Sequence, residues 1–401
     1  HAGWTWFYLY NEHVARFLGT RIPRDYNKLP AALYWLLHIV WLFPWSLFFP
    51  AAIAVAWQER RRRPASKRQR PRGSAAWRTF ARTSFAARTI LLLTIFSAII
   101  LGFFSLSTNQ EYYTFPVYLP LLLLTAAALA HLETDSLSSA RGPGSPGGLP
   151  AGVSALTFAH TAFTVLGLAI ASALAYGLWT SRHIAFVPDI GSLLAHRGVG
   201  DYTLSMSHFF DLTGPSFAAL RLPAALAAIA FAVGPLTAWI LRSRRHALAS
   251  TCTIALTAAV FLIAAHIALV RFAPMLSSRD FASTIQQLES NHSIAPDSEV
   301  MLFGDQAYGS SIPFYLGHHV ELVDGRSTSM LFGSLFPDAP HLFLTSNDLL
   351  AQWGNGSRKL LFVPLEKRDD VDKLLGTHQI LLKETSGKAL LTDRPLDPTT
   401  H

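Results

Sequence analysis

The stretch TILLLTIFSAIILGFFSLSTNQEYYTFPVYLPLLLLTAAALAHL (89–132) contains two apolar runs separated by one short polar loop. Each run approaches the roughly 20 residues that an α-helix needs to cross the hydrocarbon core of a bilayer. The loop between them carries Glu111, Tyr112 and Tyr113. Polar side chains are costly at membrane depth unless they face protein, water or a ligand. The stretch therefore predicts a tight helical hairpin whose loop holds polar groups at the membrane surface.

The whole chain has the composition of a membrane protein. Of its 401 residues, 51% are hydrophobic and 14% are charged, whereas soluble domains carry roughly 25% charged residues. Further segments pass the same length test, so the sequence predicts a multispanning α-helical membrane protein with about six transmembrane helices. The predicted spans lie near 31–57, 89–106, 114–132, 153–178, 219–241 and 247–270.

Positive charge predicts the orientation of these spans. The loop 58–88 contains eleven Lys or Arg residues, and RSRRH (242–246) lies on the same side if the spans alternate. The positive-inside rule makes that side cytoplasmic, which leaves 1–30, the loop 179–218 and the tail 271–401 outside. A basic loop between two spans is typical of a topology signal or a contact for acidic membrane lipids, so nucleic acid is not an expected partner.

The tail 271–401 is predicted to be an external α/β domain. Helix-like and strand-like segments alternate along it, as in a sheet covered by helices. The predicted helices are 277–290, 347–353 and 367–375, and the predicted strands are 299–303, 312–316, 319–323, 359–364 and 378–385. GDQAYGSS (304–311) lacks the Lys-Ser or Lys-Thr ending of a phosphate-binding loop, and the stretch around it is interpreted as mainly structural.

The first external segment, 1–30, carries the first candidate site. Read as a helix, it places Glu12 and Arg16 four residues apart on one face, with His13 beside Arg16. Aromatic residues next to basic ones are typical of a helix lying at the headgroup level, with a surface ion pair and no further role. Alternatively, Arg16 holds a lipid phosphate, often in a bidentate pair, while His13 or Glu12 orients or titrates nearby. The residues alone leave both interpretations open.

The polar loop of the hairpin has two interpretations as well. Tyr112 and Tyr113 can belong to the aromatic belt of the interface, with Glu111 solvated. They can instead line the mouth of a cavity, where the tyrosines bind a sugar or a lipid phosphate and Glu111 accepts a hydrogen bond.

No metal site is predicted. Cys252 is the only cysteine, and the chain contains no HExxH, GxSxG or CxxC pattern. His318 and His319 are adjacent, so in a strand they point to opposite faces and cannot share a metal ion.

Three stretches resemble the C-terminal half of GT-C superfamily glycosyltransferases, in particular the bacterial aminoarabinose transferases and their protein mannosyltransferase relatives. The first is WFYLYNEHVARFLG with RDYNKLPAALYWLLHIVWLFPWSLFFP (6–50), similar to an aromatic-rich periplasmic loop followed by a helix ending in Pro-Trp-Ser. The second is FSLSTNQEYYTFPVYLPLLLL (104–124), which is similar to a short loop entering the next helix. The third is GDQAYGSSIPFYLGHHVELVDGRS (304–327), which resembles the external domain closing many of these enzymes.

The resemblance implies a hexosyl or pentosyl transferase of a bacterial inner membrane. It implies transfer of a sugar from a polyprenyl-phosphate donor to a lipid or protein acceptor on the periplasmic side, and leaves open whether a divalent metal takes part. Arg16 resembles the arginine that contacts the donor phosphate, and the loop Glu111–Tyr113 falls where the family's short loop borders the cavity. The family's catalytic acid lies in an earlier external loop, so no catalytic residue is assigned, and we expect this chain to be the C-terminal part of a longer protein.

A different class of function stays open, namely a membrane transport or scaffold protein whose external domain binds a partner. A transporter is expected to carry functional charges within its spans. His38, His160 and His266 are among the few ionisable residues in these spans, and each is predicted to be an interhelical hydrogen bonder. That prediction favours the transferase.

Overall fold

The structure, a computed structural model, describes residues 3–23, 31–62, 85–106, 111–139, 151–194, 214–327, 330 and 332–397. We number the long helices α1 (Ala31–Trp41), α2 (Phe49–Arg62), α3 (Phe85–Leu106), α4 (Phe115–Ser139), α5 (Ala151–Thr180), α6 (Arg221–Ser243) and α7 (Ala247–Leu276). In these ranges, five helices are long and apolar enough to cross a membrane, or six if one bent pair is counted as a span. The multispanning helical fold is therefore present, whereas most of the predicted basic loop lies outside the described residues.

The first predicted span, 31–57, is not one straight helix. Helix α1 ends at Trp41, a turn containing Pro44 follows, and a short 3₁₀ helix (Trp45–Phe48) leads into α2. The two halves are bent by 104°. A proline within a helix removes a backbone hydrogen bond and clashes with the preceding turn, so the apolar run contains a break that hydropathy alone does not register.

Contacts group the described chain into two units. The first contains the described residues up to Ala175 together with Ala225–Leu262, and the second contains 176–194, 214–224 and the residues from Ile263 onward. The core of the first unit is apolar and draws on α2, α4, α5, α6 and α7. Its buried members are Phe48, Ala51, Leu129, Leu132, Leu156, Ala159, Phe163, Ala171, Phe231, Ala238 and Ile254.

Small residues and one histidine join the helices of the first unit. A Cβ on Gly167 would lie 2.5 Å from Pro235, and one on Gly234 would collide with the Thr257 hydroxyl. Such close approaches are typical of membrane helix packing. His160 Nε2 lies 3.1 Å from the Ser250 hydroxyl, which confirms its predicted role between helices, whereas His266 is exposed.

The tail folds as an α/β domain around a six-stranded sheet. Its strands are β1 (Glu299–Phe303), β2 (Glu321–Val323), β3 (Phe343–Leu344), β4 (Lys359–Pro364), β5 (Ile380–Thr385) and β6 (Lys388–Thr392). The spatial order is β3-β2-β1-β4-β6-β5. The first four strands in this order are parallel, and β6 runs antiparallel to both β4 and β5. Every residue of β4 is buried, as expected for a strand covered on both faces.

Helices cover both faces of this sheet. One face packs against α8 (Arg279–Ser290) and α9 (Ser311–Leu316), which contribute Phe281, Ile285 and Ile312. The other face packs against α10 (Ser346–Gln352) and α11 (Arg368–Leu375). The alternating strand and helix pattern therefore predicted the class of this domain correctly.

One predicted strand is wrong. IPFYL (312–316) lies in the helix α9, because Pro313 falls in its first turn and Gly317 ends it with a positive φ of 74°. Proline near the start of a helix and glycine just past its end are helix signals. The short strand β3 and the buried strand β6 were not predicted, and β2 begins at Glu321 rather than at residue 319.

The turn between β5 and β6 is held from two sides within the second unit. The Asp189 carboxylate accepts hydrogen bonds from the Ser386 amide at 2.8 Å, the Ser386 hydroxyl at 2.8 Å and the Thr385 hydroxyl at 3.2 Å. Burial alone would raise the pKa of the Asp189 carboxyl, but these bonds and one from the Ser192 amide outweigh it, so that pKa lies below its ordinary value.

Lys388 supplies the second anchor. It is 3% exposed, and its Nζ donates to the carbonyl oxygens of Pro274 and Ser277 at 3.3 and 2.9 Å, where α7 ends. Burial lowers the pKa of this ammonium group to about 8. A cation at the carbonyl end of a helix is favourable, so the first residue of β6 ties the sheet to the end of the last apolar helix.

Candidate functional site

The first segment folds back on itself. A π-helix (Trp6–Ala15) and one α-helical turn (Arg16–Leu18) end at Gly19, which has a φ of 74°. After this reversal, Asn11 donates to the Ile22 carbonyl at 2.7 Å and accepts from the Ile22 amide at 2.9 Å. The buried side-chain amide of Asn11 therefore connects the backbone of Ile22, after the reversal, to the helix.

Glu12 holds two arginines. Its Oε1 accepts a hydrogen bond from Nε of Arg21 at 2.9 Å and lies 2.7 Å from Nη2 of the same residue. Its Oε2 lies 3.5 Å from Nη1 of Arg16. The side chain of Arg21 is 7% exposed, whereas that of Arg16 is 33% exposed. The cluster of Glu12, Arg16 and Arg21 carries one net positive charge, and Arg16 presents it to the surroundings.

The ion pair between Glu12 and Arg16 has the spacing that the sequence predicts, but Arg21 was missed. Arg21 Nη1 also donates to the Pro23 carbonyl at 2.9 Å, so this guanidinium connects Glu12 in the helix to the residues after the reversal. It stands nine residues after Glu12, a separation that no helical periodicity brings together. Only the glycine at the reversal hints that the chain returns.

His13 is oriented by Tyr8. Its Nδ1 lies 2.6 Å from the Tyr8 carbonyl oxygen, so that nitrogen carries the proton and donates. The two rings meet edge-on with centroids 4.9 Å apart. The structure thus gives His13 a local partner within its own helix.

An aromatic row joins the first segment to the hairpin loop. Phe17, the neighbour of Arg16, lies 5.5 Å from Phe103, measured between ring centroids. The row continues through Phe104 to Tyr113, which lies 5.2 Å from Phe104, and ends at Tyr112, 4.7 Å from Tyr113. Two sequence regions that were separate candidates are therefore parts of one surface.

The described part of the hairpin loop is a single 3₁₀ turn, Glu111–Thr114, directly before α4. The ring of Tyr112 is half exposed, and Tyr113 is partly buried. The side chain of Glu111 lies outside the described part of the structure, so its predicted role stays a prediction.

Polar atoms of α1 lie buried near the start of α4. His38 Nδ1 donates to the Tyr34 carbonyl at 2.6 Å, and the ring packs edge-on to Tyr118. His38 Nε2 and Trp41 Nε1 are buried with no hydrogen-bond partner in the described ranges. His38 is therefore not seen to bond a neighbouring helix, unlike His160.

The described residues contain no group of three His, Cys, Asp or Glu that could hold a metal ion. His318 and His319 both precede β2 and are exposed. The chemistry that this surface offers is thus cationic and aromatic, which suits an anion attached to an apolar chain.

Known proteins share the fold. No protein-family model matches the chain. The undecaprenyl phosphate-alpha-4-amino-4-deoxy-L-arabinose arabinosyl transferase of Pseudomonas aeruginosa is 29% identical over 140 residues, which are 34% of this chain and 20% of that protein. The crystal structure of ArnT from Cupriavidus metallidurans bound to undecaprenyl phosphate has a TM-score of 0.59 at 18% identity, over 97% of this chain and 56% of that one. Its apo form has a TM-score of 0.55 at 19% identity, over 97% and 57%.

These findings confirm the expected resemblance to this group of transferases and the expected fold class. The chain spans a fifth of the curated relative and little more than half of the solved chains.

Proposed function

We propose that this chain forms the donor-binding part of a membrane glycosyltransferase. The donor is a polyprenyl-phosphate-linked sugar, and the acceptor is a lipid or a protein on the periplasmic face of a bacterial inner membrane. The cluster of Glu12, Arg16 and Arg21 beside the aromatic row carries the proposal. The likeness to a structure that binds undecaprenyl phosphate supports it.

The chemistry of transfer explains the cluster. As the glycosidic bond breaks, negative charge grows on the departing polyprenyl phosphate, and a fixed guanidinium stabilises that charge more in the transition state than before it. Arg16 is the member of the cluster that is exposed enough to reach a phosphate. Arg21 is buried against Glu12, so it acts as a positioning residue for the segment. The aromatic row offers an apolar surface for the first prenyl units.

The orientation is part of the same proposal. The cluster, the hairpin loop and the tail domain lie on the periplasmic side, and the basic loop 58–88 lies in the cytoplasm. The surface then meets the polyprenyl phosphate in the outer leaflet of the inner membrane.

The test measures binding of undecaprenyl phosphate to the detergent-purified product of the longest open reading frame that includes this chain. Arg16→Gln should weaken binding about tenfold, since an ionic hydrogen bond to phosphate is lost. Arg182→Gln is the matched control, because Arg182 is also an exposed arginine, stacked 4.0 Å above the Trp179 ring. Equal affinities for the Arg16→Gln and control variants would remove the basis of the proposal.

A further inference from the structure

Helix α9 of the tail domain begins beside the end of the last apolar helix. That helix, α7, is the candidate membrane span Ala247–Leu276. The hydroxyl of Ser277, the next residue, donates to the hydroxyl of Ser311, the first residue of α9, at 3.3 Å. The Ser278 hydroxyl donates at 2.5 Å to the carbonyl of Tyr308, in the turn before α9. These contacts place the start of α9 where the chain leaves the membrane.

The length of α7 puts its last residues at the level of the lipid headgroups. The helix has 30 residues, so at 1.5 Å per residue it is about 45 Å long. A bilayer is roughly 40–45 Å thick when both headgroup regions are included. Near this end, the guanidinium carbon of Arg271 lies 5.3 Å from the centroid of the Phe186 ring, which is exposed. An arginine beside an exposed aromatic ring is typical of the membrane–water interface.

Two aromatic side chains of α9 point away from the sheet. Ile312 is fully buried against the sheet, whereas Phe314 is 78% exposed and Tyr315 is exposed beside it. The rings of Phe314 and Tyr315 meet edge-on, with centroids 5.1 Å apart. Leu276, at the end of α7, is exposed as well. One exposed apolar residue is ordinary, but three large ones at the end of a single span indicate an interaction surface.

Arg279 adds a positive charge to this surface. It is exposed and begins α8, and its guanidinium carbon lies 5.6 Å from the centroid of the Tyr315 ring. Gln286, also on α8, donates to the Tyr315 carbonyl at 2.9 Å, which fixes the two helices against each other. A guanidinium is attracted to an aromatic face and also pairs strongly with phosphate. The surface therefore combines apolar rings with a cation, as proteins at the headgroup level do.

We propose that the α9 patch, formed by Leu276, Arg279, Phe314 and Tyr315, docks the tail domain on the bilayer that α7 crosses. Leu276 and Phe314 enter the boundary between the headgroups and the acyl chains, where burial of apolar area favours docking. Arg279 binds the phosphate of an anionic lipid, and the Tyr315 ring supports its guanidinium. The tail domain is then held to the membrane by this contact as well as by its covalent link to α7.

The occupant of the α9 patch is the membrane rather than another protein. Leu276 is the last residue of an apolar helix that is long enough to cross the bilayer, and α9 starts within hydrogen-bonding distance of the residue that follows it. The charge of the patch also suits lipid, since anionic headgroups attract arginines near the membrane surface. The inference depends on α7 crossing the membrane, and it does not depend on the transferase function.

The test measures the depth of residue 314 in nanodiscs of mixed phosphatidylglycerol and phosphatidylcholine. Phe314→Cys, on a cysteine-free background that includes Cys252→Ala, carries one apolar nitroxide label. The label should collide more with oxygen, which concentrates in lipid, than with a water-soluble nickel complex. Leu350→Cys is the matched control and should show the reverse, because Leu350 is 50% exposed on α10, across the sheet from α9. Adding Arg279→Gln should lower the ratio of docked to free label at 314 about fivefold, the contribution of one arginine near an anionic surface.

Equal accessibilities at positions 314 and 350 would overturn the inference. A label at 314 that neither oxygen nor the nickel complex reaches would mean that protein covers the patch, and would overturn the assignment to lipid. An unchanged depth in the Arg279→Gln variant would overturn the contact between Arg279 and a lipid phosphate. Because Phe314 is largely exposed, its replacement leaves the packing of the tail domain intact, and each outcome reports on the membrane contact.

Discussion

Replacing Arg21 by glutamine should open the folded-back first segment. The guanidinium donates one hydrogen bond to Glu12 and one to the Pro23 carbonyl, and its Nη2 forms an ion pair with Glu12 at 2.7 Å. Its side chain is 7% exposed. Glutamine is too short to reproduce this fork and carries no charge. Among the described residues, the variant therefore leaves Glu12 with the longer ion pair to Arg16.

The magnitude follows from these contacts. Removing one partner of a buried ion pair costs about 3–5 kcal/mol. The lower end applies, because Glu12 keeps Arg16 and its side chain is 17% exposed. A local cost of about 3 kcal/mol raises the population of the open segment about 100-fold.

Hydrogen exchange of the purified protein measures this opening. The Ile22 amide donates to Asn11 Oδ1, so its exchange should accelerate about 100-fold in Arg21→Gln, in line with the local cost. Arg16→Gln is the matched control, since a pair that is one-third exposed contributes only about 0–1 kcal/mol. Exchange at Ile22 that is equal in the two variants would refute the distinction between a positioning arginine and a phosphate-binding one.

Two further predictions concern stability. The pKa of Lys388 is lowered from 10.5 to about 8, so between these values the unfolded chain binds the extra proton, and stability should rise with pH by at most about 3 kcal/mol. Thermal unfolding between pH 7.5 and 10 should show this rise, and Lys388→Met should abolish it. Gly234→Ala should cost about 1–3 kcal/mol, because the new methyl collides with the Thr257 hydroxyl. Adding Thr257→Ala should restore part of the melting temperature that Gly234→Ala loses. If the double variant melts no higher than Gly234→Ala alone, the collision with Thr257 is not the source of the strain.

Much of the tail domain could be predicted from local patterns. EVMLF and KLLFVP are apolar runs of strand length, and KRDDVDKLL has a polar and an apolar side at helical spacing. The strand prediction for IPFYL was wrong because a five-residue apolar run fits either element. Pro313 in the first turn and Gly317 just past the end favour a helix. The order of the strands is set by long-range packing that no window of sequence contains.

In the candidate site, too, some contacts could be predicted from the sequence and others could not. Glu12 and Arg16 were predictable as a pair, since their spacing places them on one turn of helix. The contribution of Arg21 was not, because it depends on the reversal at Gly19. The aromatic row was hidden too, since Phe17 and Phe103 meet only when the first segment packs on α3.

The sequence by itself determined that this protein crosses a membrane several times and ends in an α/β domain. Those features depend on hydrophobic runs and periodicities, which act over one turn or one span of chain. Only the tertiary structure decided that the first span bends by 104° and that Glu12 has two arginine partners. It also decided that Lys388 of β6 meets the carbonyl oxygens at the end of α7. These features require residues distant in sequence to come together, and the packing of the whole fold selects which of them meet.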